Sequence, residues 1–117
     1  MKTFVVVVVA GMALSVAGAG AQTVDAKKVE AGQAAFKTFS CATCHGVKPD
    51  EKKMASSLAG VGSKLKADDM RKWLTDPVAM EAKLSPKPKV LMSTAMKSKK
   101  LTDADIDALV AYMMSLK

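Results

Sequence analysis

Cys41-Ala42-Thr43-Cys44-His45 constrains this chain more than any other stretch. On a helical turn, residues three and four apart share a face. Two thiols and an imidazole are therefore presented together. A C-x-x-C-H run reads as a c-type haem attachment site: both thiols reach the vinyl groups along one porphyrin edge, and the His45 imidazole is directed at the iron. The pentapeptide uses both cysteines and the single histidine of the 117-residue chain. Other chemistries fit less well. A thioredoxin-like redox pair belongs beside a βαβ pattern, which the sequence lacks. A zinc site wants about four ligands and would have to recruit carboxylates. A disulfide across two residues closes too small a loop to stabilise much.

The first residues read as a targeting segment. Lys2 is a short positive start, Phe4 to Val16 is an uncharged apolar run, and Ala19-Gly20-Ala21 is a small-residue cleavage site. The expected division is a cleaved signal peptide over 1–21 and one domain over 22–117. An uncleaved anchor is the rival, but the second half of the run is Ala, Gly and Ser, and no stop-transfer pattern follows. Export to the periplasm and attached haem support each other, since bacteria join haem to exported apoproteins. No stable membrane insertion is expected after cleavage.

Losing residues 1–21 lowers the formal charge from +7 to +6, because Lys2 is the only charged residue there. The remaining lysines are spread along the chain, among them Lys48, Lys52, Lys53, Lys64, Lys66, Lys97, Lys99 and Lys100. A basic surface bears on association and steering, not on fold. Without a basic stripe interleaved with aromatics, nucleic acid is not the expected partner; an acidic redox-partner protein is. Outside the apolar start the aromatics are Phe36, Phe39, Trp73 and Tyr112. So few large side chains bury a modest core, and a porphyrin would supply the missing apolar bulk.

The patterning predicts an all-α chain of three to four helices. Val24 to Thr38 has Asp25 as a cap and Val29, Gly32 and Phe36 near helical spacing. Gly32 costs helix stability and is expected to admit a neighbouring backbone. Leu58 to Leu65 is a glycine-punctuated link without the lysine placement of a phosphate-binding loop. Ala67 to Thr75 is a short helix with Met70, Trp73 and Leu74 inward, ended by Asp76-Pro77. Trp73 is most simply core, or alternatively a wall of the haem with its indole N–H on a propionate. Pro77 to Ser98 reads as an extended loop, and loops of that length are usually functional. Thr102 to Asp105 forms a capping box before a last helix reaching about Leu116, with Ile106, Leu109, Val110 and Met113 on one face.

Taken together, Gly32-x-x-x-Phe36, Cys41-x-x-Cys44-His45-Gly46, Leu58-Ala-Gly-Val-Gly, Trp73-Leu74-x-Asp76-Pro77 and Leu101-Thr-Asp through Leu109-Val-Ala-Tyr112 resemble the class I c-type cytochromes. The resemblance covers nearly all of the expected mature chain. It implies one covalently bound haem, with the first and last helices crossing at a glycine–aromatic contact. Gly32 and Phe36 would form one side and Leu109 and Tyr112 the other. It also implies a methionine as sixth ligand, usually in Met-Pro, on the loop before the last helix. Here the loop offers Met92 and Met96, neither followed by proline. Spacing to Leu101-Thr-Asp and the likeness of Met-Ser-Thr-Ala-Met to Met-Pro-x-Met favour Met92, with Met96 the alternative and Met80 more distant. The family's Gly-Pro-x-Leu, whose proline carbonyl accepts the ligand histidine's other N–H, becomes Ala55-Ser56-Ser57-Leu58, and the Ser56 carbonyl is expected to take that role.

These residues imply outer-sphere one-electron transfer by a periplasmic carrier and not an enzyme. Two other readings stand beside it. One is a fixed haem subunit of an oxidoreductase complex, of sulfur-oxidising or respiratory type. The other is a gas-binding module whose sixth site is open, hinted at by the missing Met-Pro.

Overall fold

A computed structural model describes residues 25–117. The expected leader lies outside the described residues, as does the start of the expected domain at residue 22. Seven helical segments run in order: α1 (Ala26–Thr38), α2 (Cys41–Cys44), α3 (Val61–Lys64), α4 (Ala67–Thr75), α5 (Pro77–Glu81), α6 (Met92–Met96) and α7 (Asp103–Ser115). No strand occurs among the described residues. Three helices are long enough to set the architecture, and the other four are single turns of four or five residues.

α1 starts where Asp25 accepts the Lys27 N–H at 2.9 Å, an N-cap that satisfies one of the unpaired first-turn donors. α7 starts at a reciprocal capping box, in which Thr102 accepts from the Asp105 N–H while the Asp105 carboxylate accepts from the Thr102 N–H at 2.9 Å. The two helices cross at Gly32. A β-carbon there would overlap the Ala108 carbonyl oxygen and lie 2.6 Å from Tyr112 Cβ. The expected close approach of backbones is thus present. Around it Phe36 and Tyr112 meet edge to face, with ring centroids 5.4 Å apart, and Leu109 is buried beside them.

α7 buries more than one stripe. Leu109 and Tyr112 pack with Ala35 and Phe36 of α1, whereas Ile106, Val110 and Met113 pack with Met70 of α4 and Val61 of α3. The expected single face was too narrow, because the helix is covered from two sides. α4 also departs from expectation. Met70 is buried and Leu74 packs on both clusters, but Trp73 is half-buried and belongs to neither. Met70 and Leu74, four apart, take the line facing α7 and leave Trp73 at its edge. Reading Trp73 as core is therefore corrected. The stretch 77–98 is not one extended loop either, since α5 and α6 interrupt it. Asp76, which ends α4, also accepts the Ala79 N–H at 3.2 Å and so caps α5, with Pro77 in its first turn.

Candidate functional site

The C-x-x-C-H segment begins at Ser40, whose φ of 58° is left-handed backbone. That reversal turns the chain out of α1 and into α2, so Cys41 and Cys44 stand at the two ends of one helical turn. Both are free thiols and half-buried. Burial pushes the Cys41 thiol up from its ordinary value of 9.0, while the positive charge of Lys99 pulls the other way. Lys99 therefore lies within electrostatic reach of the attachment turn.

His45 follows in extended backbone, its N–H donating to the Cys41 carbonyl at 2.9 Å. A short ladder then pins residues 55–58 against it. Ala55 N–H donates to the Cys44 carbonyl at 3.0 Å, Leu58 N–H donates to the Gly46 carbonyl at 2.8 Å, and between them His45 Nδ1 lies 2.8 Å from the Ser56 carbonyl oxygen. A carbonyl oxygen can only accept, so Nδ1 carries a proton, and in the neutral ring Nε2 then keeps the lone pair. That is the tautomer an iron ligand needs, oriented as expected from outside the ring.

Glu51 braces the same loop. Its carboxylate accepts from the Val47 N–H at 2.9 Å and pairs with Lys53, whose ammonium also reaches the Ala42 carbonyl. The Lys53 contact, with the Val47 amide second, holds Glu51 well below the ordinary carboxylate range, at about 2. Gly46 is packed so closely on Glu51 that a β-carbon would overlap its carbonyl oxygen. No sequence signal pointed to Glu51 or Lys53 in these roles; Glu51 acts on amides three and four residues back, and Lys53 reaches Ala42 only through a fold-back of 11 residues.

A cavity of about 410 Å³ opens between α4, α6 and α7, walled by Leu74, Met96, Leu101 and Ile106 and rimmed by Lys97 and Lys99. A second, of about 370 Å³, is lined by Phe39, Ser40, Lys99 and Lys100 beside the start of α2. Lys99 borders both. Leu74 and Leu101 pack on the same apolar cluster as Cys41 and Ala42, which links the larger cavity to the attachment turn. Met96 lines that cavity; Met92, Met80 and Trp73 do not. Met92 sits one turn from Met96 at the other end of α6 and is half-buried.

These residues suit a haem: two free thiols on one turn, an imidazole with its lone pair free, a thioether on an apolar wall, and lysines at the rim. They suit a protein-held metal ion poorly. Among the described residues, no group of three or more His, Cys, Asp or Glu side chains gathers to hold one.

Such a set defines a covalent haem site in a small all-α scaffold. The cytochrome c family model matches residues 29–117, and the chain belongs to that family. The family carries covalently bound haem c and transfers electrons, and its members are generally carriers and not enzymes. Cys41, Cys44 and His45 stand as its C-x-x-C-H motif. Comparison with curated proteins and with solved structures returns no match. Among the described residues no helix is long and apolar enough to cross a membrane.

Proposed function

We propose that this protein is a periplasmic monohaem carrier that passes single electrons between redox proteins. The observation that carries the reading is the Ser56 carbonyl on His45 Nδ1, which leaves Nε2 free beside two unpaired thiols. In this reading Cys41 and Cys44 hold the porphyrin as thioethers, and His45 is the proximal ligand. A methionine of α6, Met92 or Met96, would supply a thioether to the same iron. Haem held in this way supplies a one-electron Fe(II)/Fe(III) couple, and thioether ligation raises its potential. Leu74, Leu101 and Ile106 keep water from the ring, which disfavours the extra charge of the oxidised state. Trp73, half-buried outside both apolar clusters, is the aromatic assigned to the haem wall. Lys97, Lys99 and Lys100, at the rims of the two cavities, steer partners with acidic docking surfaces into short encounters.

For the sixth ligand the sequence spacing favours Met92. A second reading with Met96 in that place is supported by its position on the cavity wall. Absorption spectra decide between them, taken oxidised, reduced, and reduced under carbon monoxide, on protein matured with haem. Wild type is expected to ignore carbon monoxide and to show the far-red sulfur-to-iron band. Of Met92→Ala and Met96→Ala, only the variant lacking the true ligand loses the band and binds carbon monoxide. A wild type that binds carbon monoxide readily refutes axial ligation by either methionine and turns the reading to ligand binding.

A further inference from the structure

Glu81 is the one buried charged side chain among the described residues, 6% exposed, and nothing in the proposed electron transfer uses it. It ends α5, and its Oε1 accepts the Ser93 N–H at 2.7 Å in the first turn of α6. This bond and the Met92 amide hold its carboxyl below the ordinary range, against the opposing effect of its burial. α6 needs such an acceptor. Its N-cap is Leu91, with no side-chain acceptor, so its first-turn amides have no local partner. The bonds at its two ends are long, at 3.3 Å for Ala95 N–H to the Leu91 carbonyl and 3.4 Å for Lys97 N–H to the Thr94 carbonyl. Five residues are far too few for a helix to persist alone. α5 is the element it packs against, and the connecting residues 82–90 are exposed throughout.

We infer that Glu81 is a positioning residue whose buried carboxylate fixes the methionine-bearing turn α6 against the body of the protein. The restraint runs from α4 through the Asp76 cap into α5, and from Glu81 across to Ser93. It fixes Met92 and Met96 alike, since both ride on α6. The inference rests on the proposed thioether ligation for its functional meaning, but its structural content is independent of that.

The test uses haem-loaded wild type, Glu81→Ala, Glu81→Gln and Arg71→Ala. Arg71 bonds Asp107, so its loss cuts a tie between α4 and α7 that does not involve α6. Amide hydrogen exchange is followed over residues 92–97 and over α1 and α7, alongside the far-red band and the rate of carbon monoxide binding to reduced protein. Glu81→Ala is expected to speed exchange at 92–97 by about tenfold or more while α1 and α7 stay slow. It also weakens the band and accelerates carbon monoxide binding by a similar factor. Glu81→Gln, which keeps an acceptor oxygen, falls close to wild type, and Arg71→Ala leaves α6 exchange and carbon monoxide binding unchanged. Unchanged exchange at 92–97 in Glu81→Ala overturns the inference, as does an acceleration spread equally over α1 and α7. Selective loosening of α6 in a protein whose wild type lacks the band upholds the anchoring and overturns the ligation.

Discussion

Gly32→Ala pits two effects of opposite sign against each other. In a helix interior alanine is better than glycine by roughly 1 kcal/mol, so helix propensity alone predicts stabilisation. At this position the added methyl would overlap the Ala108 carbonyl oxygen and crowd Tyr112 Cβ at 2.6 Å. A backbone carbonyl inside α7 has no rotamer to swing away, so α1 and α7 must separate. Separation loosens Phe36, Leu109 and Tyr112, which are 5%, 2% and 9% exposed. Overpacking of this kind costs about 1–3 kcal/mol, and a rigid obstruction belongs at the upper end. The net expectation is a loss of about 2 kcal/mol. For a domain of this size that lowers Tm by roughly 8–16 °C. Thermal unfolding of the haem-loaded protein, with Gly32→Ser as a second variant, measures it. A Gly32→Ala protein as stable as wild type, or more so, would refute the crossing geometry.

Two further predictions concern the attachment loop. Glu51 has a folded-state pKa of about 2 against an ordinary 4.5, so its contribution is present above pH 4.5 and is lost as pH falls toward 2. Glu51→Gln should therefore flatten the acid side of a plot of denaturant midpoint against pH in that window, and an unchanged slope would count against the brace. Ser40 holds a left-handed φ that β-branched residues tolerate badly. Ser40→Val should lose at least about 1 kcal/mol in denaturant unfolding, whereas Ser40→Gly should match or slightly exceed wild type; equal stability of the two would remove the case for strain.

Much of the helical scaffold was legible in the sequence because it rests on local rules. Asp25 and Thr102 announce the starts of α1 and α7, and Gly32 announces the crossing because a glycine inside a helix calls for a reason. The expected Ser56 carbonyl was legible from its place in the motif pattern, and it is found on His45. What escaped was structure that no short window contains. α5 and α6 are too short to show a helical period, and the prolines at 86 and 88 dominate the stretch between them. Even so, Asp76-Pro77 did carry a start signal as well as a stop. Glu81 escaped because its partner lies 12 residues on and only the fold brings them together. Trp73 misled because size suggests burial, and a neighbour had already taken the inner line.

The pairing of α1 with α7 has a consequence in time. Each of the two apolar clusters takes residues from α7, the last of the described helices. A contact spanning so much sequence forms late, since the intervening loop must close before it yields any gain. Until α7 docks, α1 lacks its main packing partner, and the turn bearing Cys41 and Cys44 lacks the cover of that cluster. Once α7 arrives, Leu109 and Tyr112 close over Phe36 and the thiols become half-buried. The architecture thus leaves its attachment turn open until α1 and α7 pair, and that pairing then covers it.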